Sequence, residues 1–507
     1  MSDFAAQMSF LGQSGLRGDA AHRRSTALSP FAERIARQQT SKRFSIDIIS
    51  GLVRVVDGVG LAAIATAVML LYVGIHLPVA YAFTICTGSV LFVLLNEYSG
   101  GYSIEALKSP RRSFGRVALS WTATCALLTL AGFLLKTSED FSRVWFGSWY
   151  FSGLAFLFIA HAATGACLKK WTREGLLARR AVIVGGGERA EGLIRALEKE
   201  RDSNIHICGI FDDRDDERSP PIIAGYPKLG DTEQLLSFAR QAHIDLLIIS
   251  LPLQAEERML KTLKKLGILP VDIRLSALSN RIKFRPSTYS YFGSVPMFNV
   301  LDRPIGGWNT VTKRIFDVVF SMLGILAFLP IMAMAAIAIK LDSPGPILFR
   351  QKRHGFNNEE IEVFKFRSMY ADRCDPTARN PVTRNDSRVT RVGRFIRKFS
   401  IDELPQFFNV LRGEMSLVGP RPHAVAAQAN DRLFTEVVDG YFARHRVKPG
   451  ITGWAQVNGW RGEIDSDEKI SSRTQYDLYY IENWSIWFDL RILLTTPISL
   501  FRSDGAY

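Results

Sequence analysis

The chain has 507 residues, too many for one ordinary domain, and two to four are expected. A formal net charge of +14 points to anionic partners: nucleic acid, anionic lipid or phosphorylated small molecules. The five cysteines are scattered and none forms a C-x-x-C, which argues against a disulfide frame or a zinc site.

Residues 1–45 are polar and hold no apolar stretch of the kind a signal peptide needs, so they read as a disordered cytoplasmic tail. Four apolar segments follow, at about 55–75, 79–96, 114–135 and 145–168, each close to the ~20 residues that cross a bilayer as a helix. Residues 46–172 are therefore expected to hold four transmembrane helices. Arg34, Arg37, Lys42, Arg43 and Arg54 precede the first segment, and the connection around "GIHLP" has no cation. Lys108, Arg111 and Arg112 fill the second connection, and Lys169, Lys170, Arg173, Arg179 and Arg180 follow the fourth segment. The positive-inside rule then places the N-terminus, and everything after residue 170, in the cytoplasm.

Over 178–280 short apolar runs alternate with helical stretches, as in a Rossmann-like parallel sheet with helices on both faces. Gly185-x-Gly187-x-x-Ala190 fits a turn that brings backbone close to a phosphate, and it equally fits a structural strand-to-helix turn. Asp212-Asp213 follow the next strand, late for a ribose contact. No downstream Tyr-x-x-x-Lys supports dehydrogenase chemistry. Residues 281–312 read as a linker with short strands.

From Ile315 to Ile339 the chain is apolar except for Asp317 and Ser321, and Pro330 interrupts it. Cations flank both ends: Lys313 and Arg314 before, Lys340, Arg350, Lys352 and Arg353 after. A true span would show asymmetry, and crossing would also put the motif-rich remainder outside the cell. Pro330 should kink the run. A re-entrant helix over 314–340 fits these facts, with Asp317 neutralised by Lys313 and Arg314 near the headgroups. A fifth span and a buried soluble helix are the alternatives.

Further on, Asp402 and Glu403 stand side by side in "SIDELPQ", just after Arg394, Arg397 and Lys398. As a helix start, Ser400 would cap and Glu403 would sit at capping-box spacing. As reacting groups, they would lie where a helix N-terminus favours bound phosphate. The prolines of Gly419-Pro420-Arg421-Pro422 fix the backbone around Arg421. "WSIWFDLRILLTTPISLFR" is amphipathic, with Trp484 and Trp487, and suits either an interfacial helix or ordinary packing.

The set "KRIFD", "DSPGPILFRQKRHG", "FKFRSM", "VGRFIRKFSIDELPQFFNVLRGEMSLVGPRP", "RHRVKPGITGWAQVNG" and "YDLYYIENWSIWFDLRIL" resembles the bacterial sugar-transferase domain of the polyprenyl-phosphate glycosyl-1-phosphate transferases. The resemblance covers roughly 310–507, and the layout ahead of it is similar to the long form of that family. It implies an α/β catalytic domain over 313–507 carrying the re-entrant helix, behind a membrane α-helical bundle and a Rossmann-like α/β domain. Short members carry Ser-Pro at the break, whereas this chain has Leu329-Pro330, so proline alone supplies the kink. The implied partners are a UDP-sugar, undecaprenyl phosphate and inner-membrane lipid, with no nucleic acid. The donor expected is UDP-glucose, then UDP-galactose, and the product would start exopolysaccharide or O-antigen assembly.

By the same resemblance Asp402 is the nucleophile on the sugar-bearing phosphorus and Glu403 its partner. Both are candidate ligands of Mg²⁺, which prefers few protein oxygens beside substrate phosphates. Lys365, Arg397 and Arg421 match family cations among a larger set that includes Arg350, Lys352, Arg353, Arg367 and Arg394. Arg421 and Pro422 are placed at the uridine or its phosphates, and Asp477 near the site. A homodimer stays open. A nucleotide-sensing membrane scaffold is the competing reading, and a sugar-nucleotide oxidoreductase the weaker one.

Overall fold

The computed structural model describes residues 28–38, 45–74, 79–199, 205–214, 219–251, 256–277, 289–292, 295–373, 386–423, 428–429, 432–433, 441–460 and 467–502. The chain forms two compact units, one of Ser41–Ala178 and one of Met1–Thr40 with Arg179–Tyr507. The expectation of an unstructured tail fails at α1 (Pro30–Gln38). Ala32 and Ala36 lie on one face of this amphipathic helix and are fully buried against Leu235, Phe238 and their neighbours in the second unit. The rest of the expected tail, 1–27 and 39–44, lies outside the described residues.

The first unit is a helical bundle of α2 (Ile46–Tyr72), α3 (Val79–Tyr98), the short α4 (Ile104–Lys108), α5 (Pro110–Leu134) and α6 (Arg143–Arg173). Its interior is aromatic, with Phe92, Trp121, Trp145 and Trp149 fully buried. Its outside is apolar too, with Leu71, Val79, Phe83, Leu119 and Phe133 exposed. Helices apolar all round suit lipid rather than water. Gly88 lets α3 close on α6, since a Cβ there would stand 2.6 Å from the Trp149 ring. One buried carboxylate is paired: Asp57 Oδ2 lies 2.9 Å from the Tyr102 hydroxyl and 2.9 Å from His161 Nε2. Ser113 Oγ meets the other imidazole nitrogen at 2.8 Å. Pairing of this kind offsets the cost of a charge at membrane depth.

In the second unit, β1 (Arg179–Val184), α7 (Glu188–Lys199), β2 (Ile205–Phe211), β3 (Ile222–Ile223), β4 (Tyr226–Gly230), α8 (Thr232–Ala242), β5 (Leu246–Ile249), α9 (Glu256–Leu266) and β6 (Asp272–Ser276) follow in order. The sheet order is β3-β4-β2-β1-β5-β6, parallel from β4 to β6, and it reverses direction between β1 and β5. Apolar side chains cover both faces, as a doubly wound sheet requires. The expected linker is part of this sheet, because β7 (Tyr289–Phe292) and β8 (Val295–Leu301) add antiparallel strands beyond β6. Residues 278–288 and 293–294 lie outside the described residues.

A cavity of about 640 Å³ opens at the reversal, lined by the Gly-rich turn, Ser250 and Leu251. At that turn the Gly186 N–H donates to Asp212 Oδ2 at 2.8 Å, so a protein carboxylate takes this turn donor. Asp212 is buried, which works against its charge, but hydrogen bonds from Arg214 and Gly186 hold its carboxyl below the usual range.

The remainder is built on α10 (Trp308–Asp342), an unbroken helix of 35 residues that runs through Pro330. The expected break is absent, although proline removes one backbone donor there. Packing on both sides keeps the residues helical. Phe316 and Phe320 join one apolar cluster of the domain, and Met332, Ala335 and Ile339 join another with Phe366 and Ile396. Between them the Phe328 ring stacks on Phe407 with centroids 6.5 Å apart. The helix therefore packs along its length on one domain while Leu323, Leu326, Leu329, Met334 and Ile337 remain exposed. Five helices among the described residues, α10 included, are long and apolar enough to cross a membrane.

Candidate active site

After α10 comes a hairpin of β9 (Leu348–His354) and β10 (Glu360–Phe366), then α11 (Arg391–Lys398), a 3₁₀ turn Ile401–Glu403, and α12 (Gln406–Arg412). The fully buried Asn409 ties α12 to the hairpin: Oδ1 accepts from Phe364 N at 2.9 Å and Nδ2 donates to the Glu362 carbonyl at 2.6 Å. That clamp sets Lys365 of β10 over the 3₁₀ turn. Ser400 has φ 57° and makes no side-chain cap, so the helix-cap reading of "SIDELPQ" is overturned. The acids lie on a tight turn between two helices, entered through a left-handed residue that is not glycine.

The Gly-Pro-Arg-Pro segment is held from the other side. β11 (Ser416–Val418) runs parallel to β14 (Gly450–Thr452), beyond the short pair β12 (Gln428–Ala429) and β13 (Arg432–Leu433). Gly419 N donates to Thr452 O at 2.9 Å, and Gly450 N donates to Pro420 O at 2.9 Å. A Cβ at Gly450 would stand 2.1 Å from Gly419 N, so only glycine fits this approach. The register aims Arg421 at the two acids.

Asp402 and Glu403 then differ sharply. Glu403 Oε1 accepts from Lys365 Nζ at 2.9 Å, and Arg421 grips both of its oxygens, one of them at 3.1 Å. Asp402 is also largely buried, yet no hydrogen bond to it is found among the described residues. Burial pushes its carboxyl up to about 6; Lys365 opposes that shift, Glu403 adds to it, and Arg397 and Arg421 oppose it. Arg397 therefore acts on Asp402 through charge. Arg353 Nη1 donates to the Pro422 carbonyl at 2.5 Å and fixes the end of the turn.

Asp477 reaches the turn through a neighbour. On α14 (Asp467–Glu482), past the short α13 (Trp454–Val457), it is almost fully buried and its carboxylate is held by Arg444, from Nε at 2.9 Å. Arg444 Nη2 donates to the Arg421 carbonyl at 3.1 Å, so Asp477 supports the turn through Arg444. The expected pairing of Asp317 with Lys313 is present, whereas Arg314 is spent elsewhere. Lys313 and Asp317 are buried inside this domain. Lys313 Nζ lies 2.6 Å from Asp489 Oδ2 and 3.3 Å from Asp317 Oδ1, and donates to the Val418 carbonyl at 3.1 Å. Asp317 Oδ1 also accepts from Ser416 Oγ and Leu417 N. Arg314 caps the C-terminal carbonyls of α12, Val410 at 2.5 Å and Leu411 at 2.6 Å. Of the two tryptophans ahead of and within α15 (Ile486–Arg502), Trp484 donates to Asp489 and Trp487 is exposed.

Sequence reasoning passed over Asp489, Arg444, His423 and Arg473. The signal for Asp489 was present in "WFDLRIL", an acid in an apolar run that needs a buried cation. His423 and His445 are neutral in this setting. Burial and Arg444 hold His445 at about 3, and burial with Arg444 and Arg473 holds His423 well below its ordinary value. With Asp402 expected to react as the carboxylate, activity should fall about tenfold per pH unit below about pH 6 and level above it. A pH–rate series reads this directly; a limb near pH 4 would contradict it.

A basic site that commits one carboxylate to cations and leaves its neighbour unbonded, on a domain built along an apolar helix, suits phosphate chemistry at a membrane. Residues 308–503 match the bacterial sugar transferase family and residues 97–277 match a CoA-binding domain. The chain is 34% identical over 425 residues to the UDP-glucose:undecaprenyl-phosphate glucose-1-phosphate transferase of Xanthomonas campestris pv. campestris, covering 82% of this chain and 84% of that one. The transferase of the same name from Escherichia coli (strain K12) is 34% identical over 425 residues, covering 82% and 88%. The undecaprenyl-phosphate glucose phosphotransferase of Komagataeibacter xylinus is 41% identical over 349 residues, 69% of this chain and 64% of that protein. The chain belongs to this family of bacterial undecaprenyl-phosphate sugar phosphotransferases.

Proposed function

We propose that the chain transfers a sugar-1-phosphate from a UDP-sugar, with UDP-glucose the donor, to undecaprenyl phosphate and releases UMP, starting a polysaccharide. The carrying observation is the contrast between the two acids: Glu403 is saturated by Lys365 and Arg421, and Asp402 is unbonded among the described residues. An Asp402 oxygen attacks the sugar-bearing phosphorus. The bond from that phosphorus to the bridging oxygen breaks, and UMP leaves with the oxygen. An oxygen of undecaprenyl phosphate then attacks the same phosphorus, the acyl-phosphate bond breaks, and the carboxylate is restored. Lys365, Arg397 and Arg421 keep the reacting anions together, and Glu403 holds two of those cations in place.

Mg²⁺ fits Asp402 better than Glu403, whose oxygens are already bonded, and no cluster of three or more His, Cys, Asp or Glu ligands occurs among the described residues. Asp402 and substrate phosphates would therefore hold it, and it would supply charge neutralisation.

The placement at a bacterial inner membrane, with the catalytic domain cytoplasmic, rests on α10. Its two ends and its middle all pack on one polar domain, so a crossing helix would drag that domain into the bilayer. A helix that lies within one leaflet avoids this. Exposed Trp487, Leu494 and Ile498 on α15 add an apolar face for the interface. A reporter fused after residue 345 is expected on the cytoplasmic side; a periplasmic signal would overturn the topology. The donor is tested by incubating membranes with undecaprenyl phosphate and a panel of UDP-sugars and measuring UMP. UDP-glucose is expected to be used best, and preference for UDP-galactose would reassign the donor.

A further inference from the structure

Arg473 lies on α14 and is only 5% exposed. Its Nε and Nη2 are buried and make no hydrogen bond among the described residues. Among the described residues the carboxylate that acts on it is Asp477, on the next turn of the same helix, and it is taken by Arg444. Burial first, and then Arg444, drive the Arg473 guanidinium down to about 9, and Arg421 acts in the same direction. Around the Gly-Pro-Arg-Pro turn, Arg353, Lys365, Arg397, Arg421, Arg444 and Arg473 stand against three carboxylates among the described residues, Asp402, Glu403 and Asp477. A buried guanidinium with two unmet nitrogens is costly to a fold. Such a cation is retained where a ligand anion completes it.

We propose that Arg473 binds a second phosphate in the site, apart from the phosphorus that Asp402 attacks, and that this phosphate is the one that leaves on UMP. The inference rests on the proposed transfer reaction. Arg444 links Arg473's surroundings to the turn: it donates to the Arg421 carbonyl at 3.1 Å and, from Nη1, to His423 Nδ1 at 2.6 Å. Arg can only donate, so His423 Nδ1 accepts and the ring adds no charge. Arg421 spends its guanidinium on Glu403, on the side of the reacting acids. Arg473 has no such commitment, and its free donors suit the nucleotide end of a diphosphate.

The test uses the full chain in lipid nanodiscs, with wild type, Arg473→Gln and Arg473→Lys. It reads kcat, KM for UDP-sugar, KM for undecaprenyl phosphate, and inhibition by added UMP. Arg473→Gln is expected to raise the donor KM and weaken UMP inhibition by about 10- to 100-fold, the worth of charged hydrogen bonds. The lipid KM should stay unchanged, and Arg473→Lys should recover part of the loss. A raised lipid KM with unchanged UMP inhibition would overturn the nucleotide assignment and give the phosphate to the lipid. Unchanged constants for both substrates, or a lowered melting temperature with unchanged UMP inhibition, would make Arg473 structural and overturn the inference. Arg473→Met covers the case of poor folding: it removes the buried charge, so it should keep the wild-type melting temperature and still lose UMP inhibition. If wild type neither turns over UDP-sugars nor responds to UMP, the transfer reading fails; a response equal in wild type and variant sinks only the role of Arg473.

Discussion

Asp402→Asn is expected to abolish UMP release, by at least about a thousandfold in kcat, while leaving the protein folded and able to bind donor. The amide keeps the size and shape of the carboxylate. No hydrogen bond to Asp402 is found among the described residues, so the fold has little to lose. Glu403→Gln should behave differently, because it strips the counter-charge from Lys365 and Arg421 at once and so disturbs cations that hold substrate. Separate loss of chemistry and of binding in the two variants distinguishes nucleophile from organiser. An Asp402→Asn protein with normal turnover would refute the assignment.

Lys313→Met is expected to have the largest effect on stability. Lys313 is the cation within salt-bridge distance of both buried acids, Asp317 at 3.3 Å and Asp489 at 2.6 Å. Its removal leaves Asp489, fully buried, with Tyr480 and Trp484 as its remaining side-chain donors among the described residues. Breaking a buried pair from one side costs about 3–5 kcal/mol, a large share of the ~5–15 kcal/mol that holds a domain together. Lys313→Met combined with Asp489→Leu should recover much of the loss, since Asp317 keeps its donors from Ser416 and Leu417. Thermal melts in detergent read both proteins. A single variant as stable as wild type would show that the network does not hold α10 to its domain.

The two acids and their cations were legible because they sit in dense local motifs, and Lys365, Arg421 and Glu403 do converge. What was illegible depends on contacts far apart in sequence. Nothing near Lys313 announces a partner 176 residues away, so of its two acids only Asp317 was legible. Arg444 and Arg473 looked like any surface cations until the fold buried them. Ser400 followed by two acids has the spacing of a helix cap, and only its left-handed backbone shows that the helix starts later. The tail was judged on composition, which hid the periodic Ala32 and Ala36 of a docked helix. Pro330 foretold a break, but packing on both sides kept α10 continuous.

The most direct test of the mechanism is trapping in the absence of lipid acceptor. With a UDP-sugar alone, the enzyme should release up to one equivalent of UMP in a burst, and intact mass should rise by one sugar phosphate, mapped by peptide analysis to Asp402. Undecaprenyl phosphate should then discharge it. UMP release that strictly requires the lipid, with no added mass on the protein, would contradict a covalent step and require direct attack by the lipid phosphate.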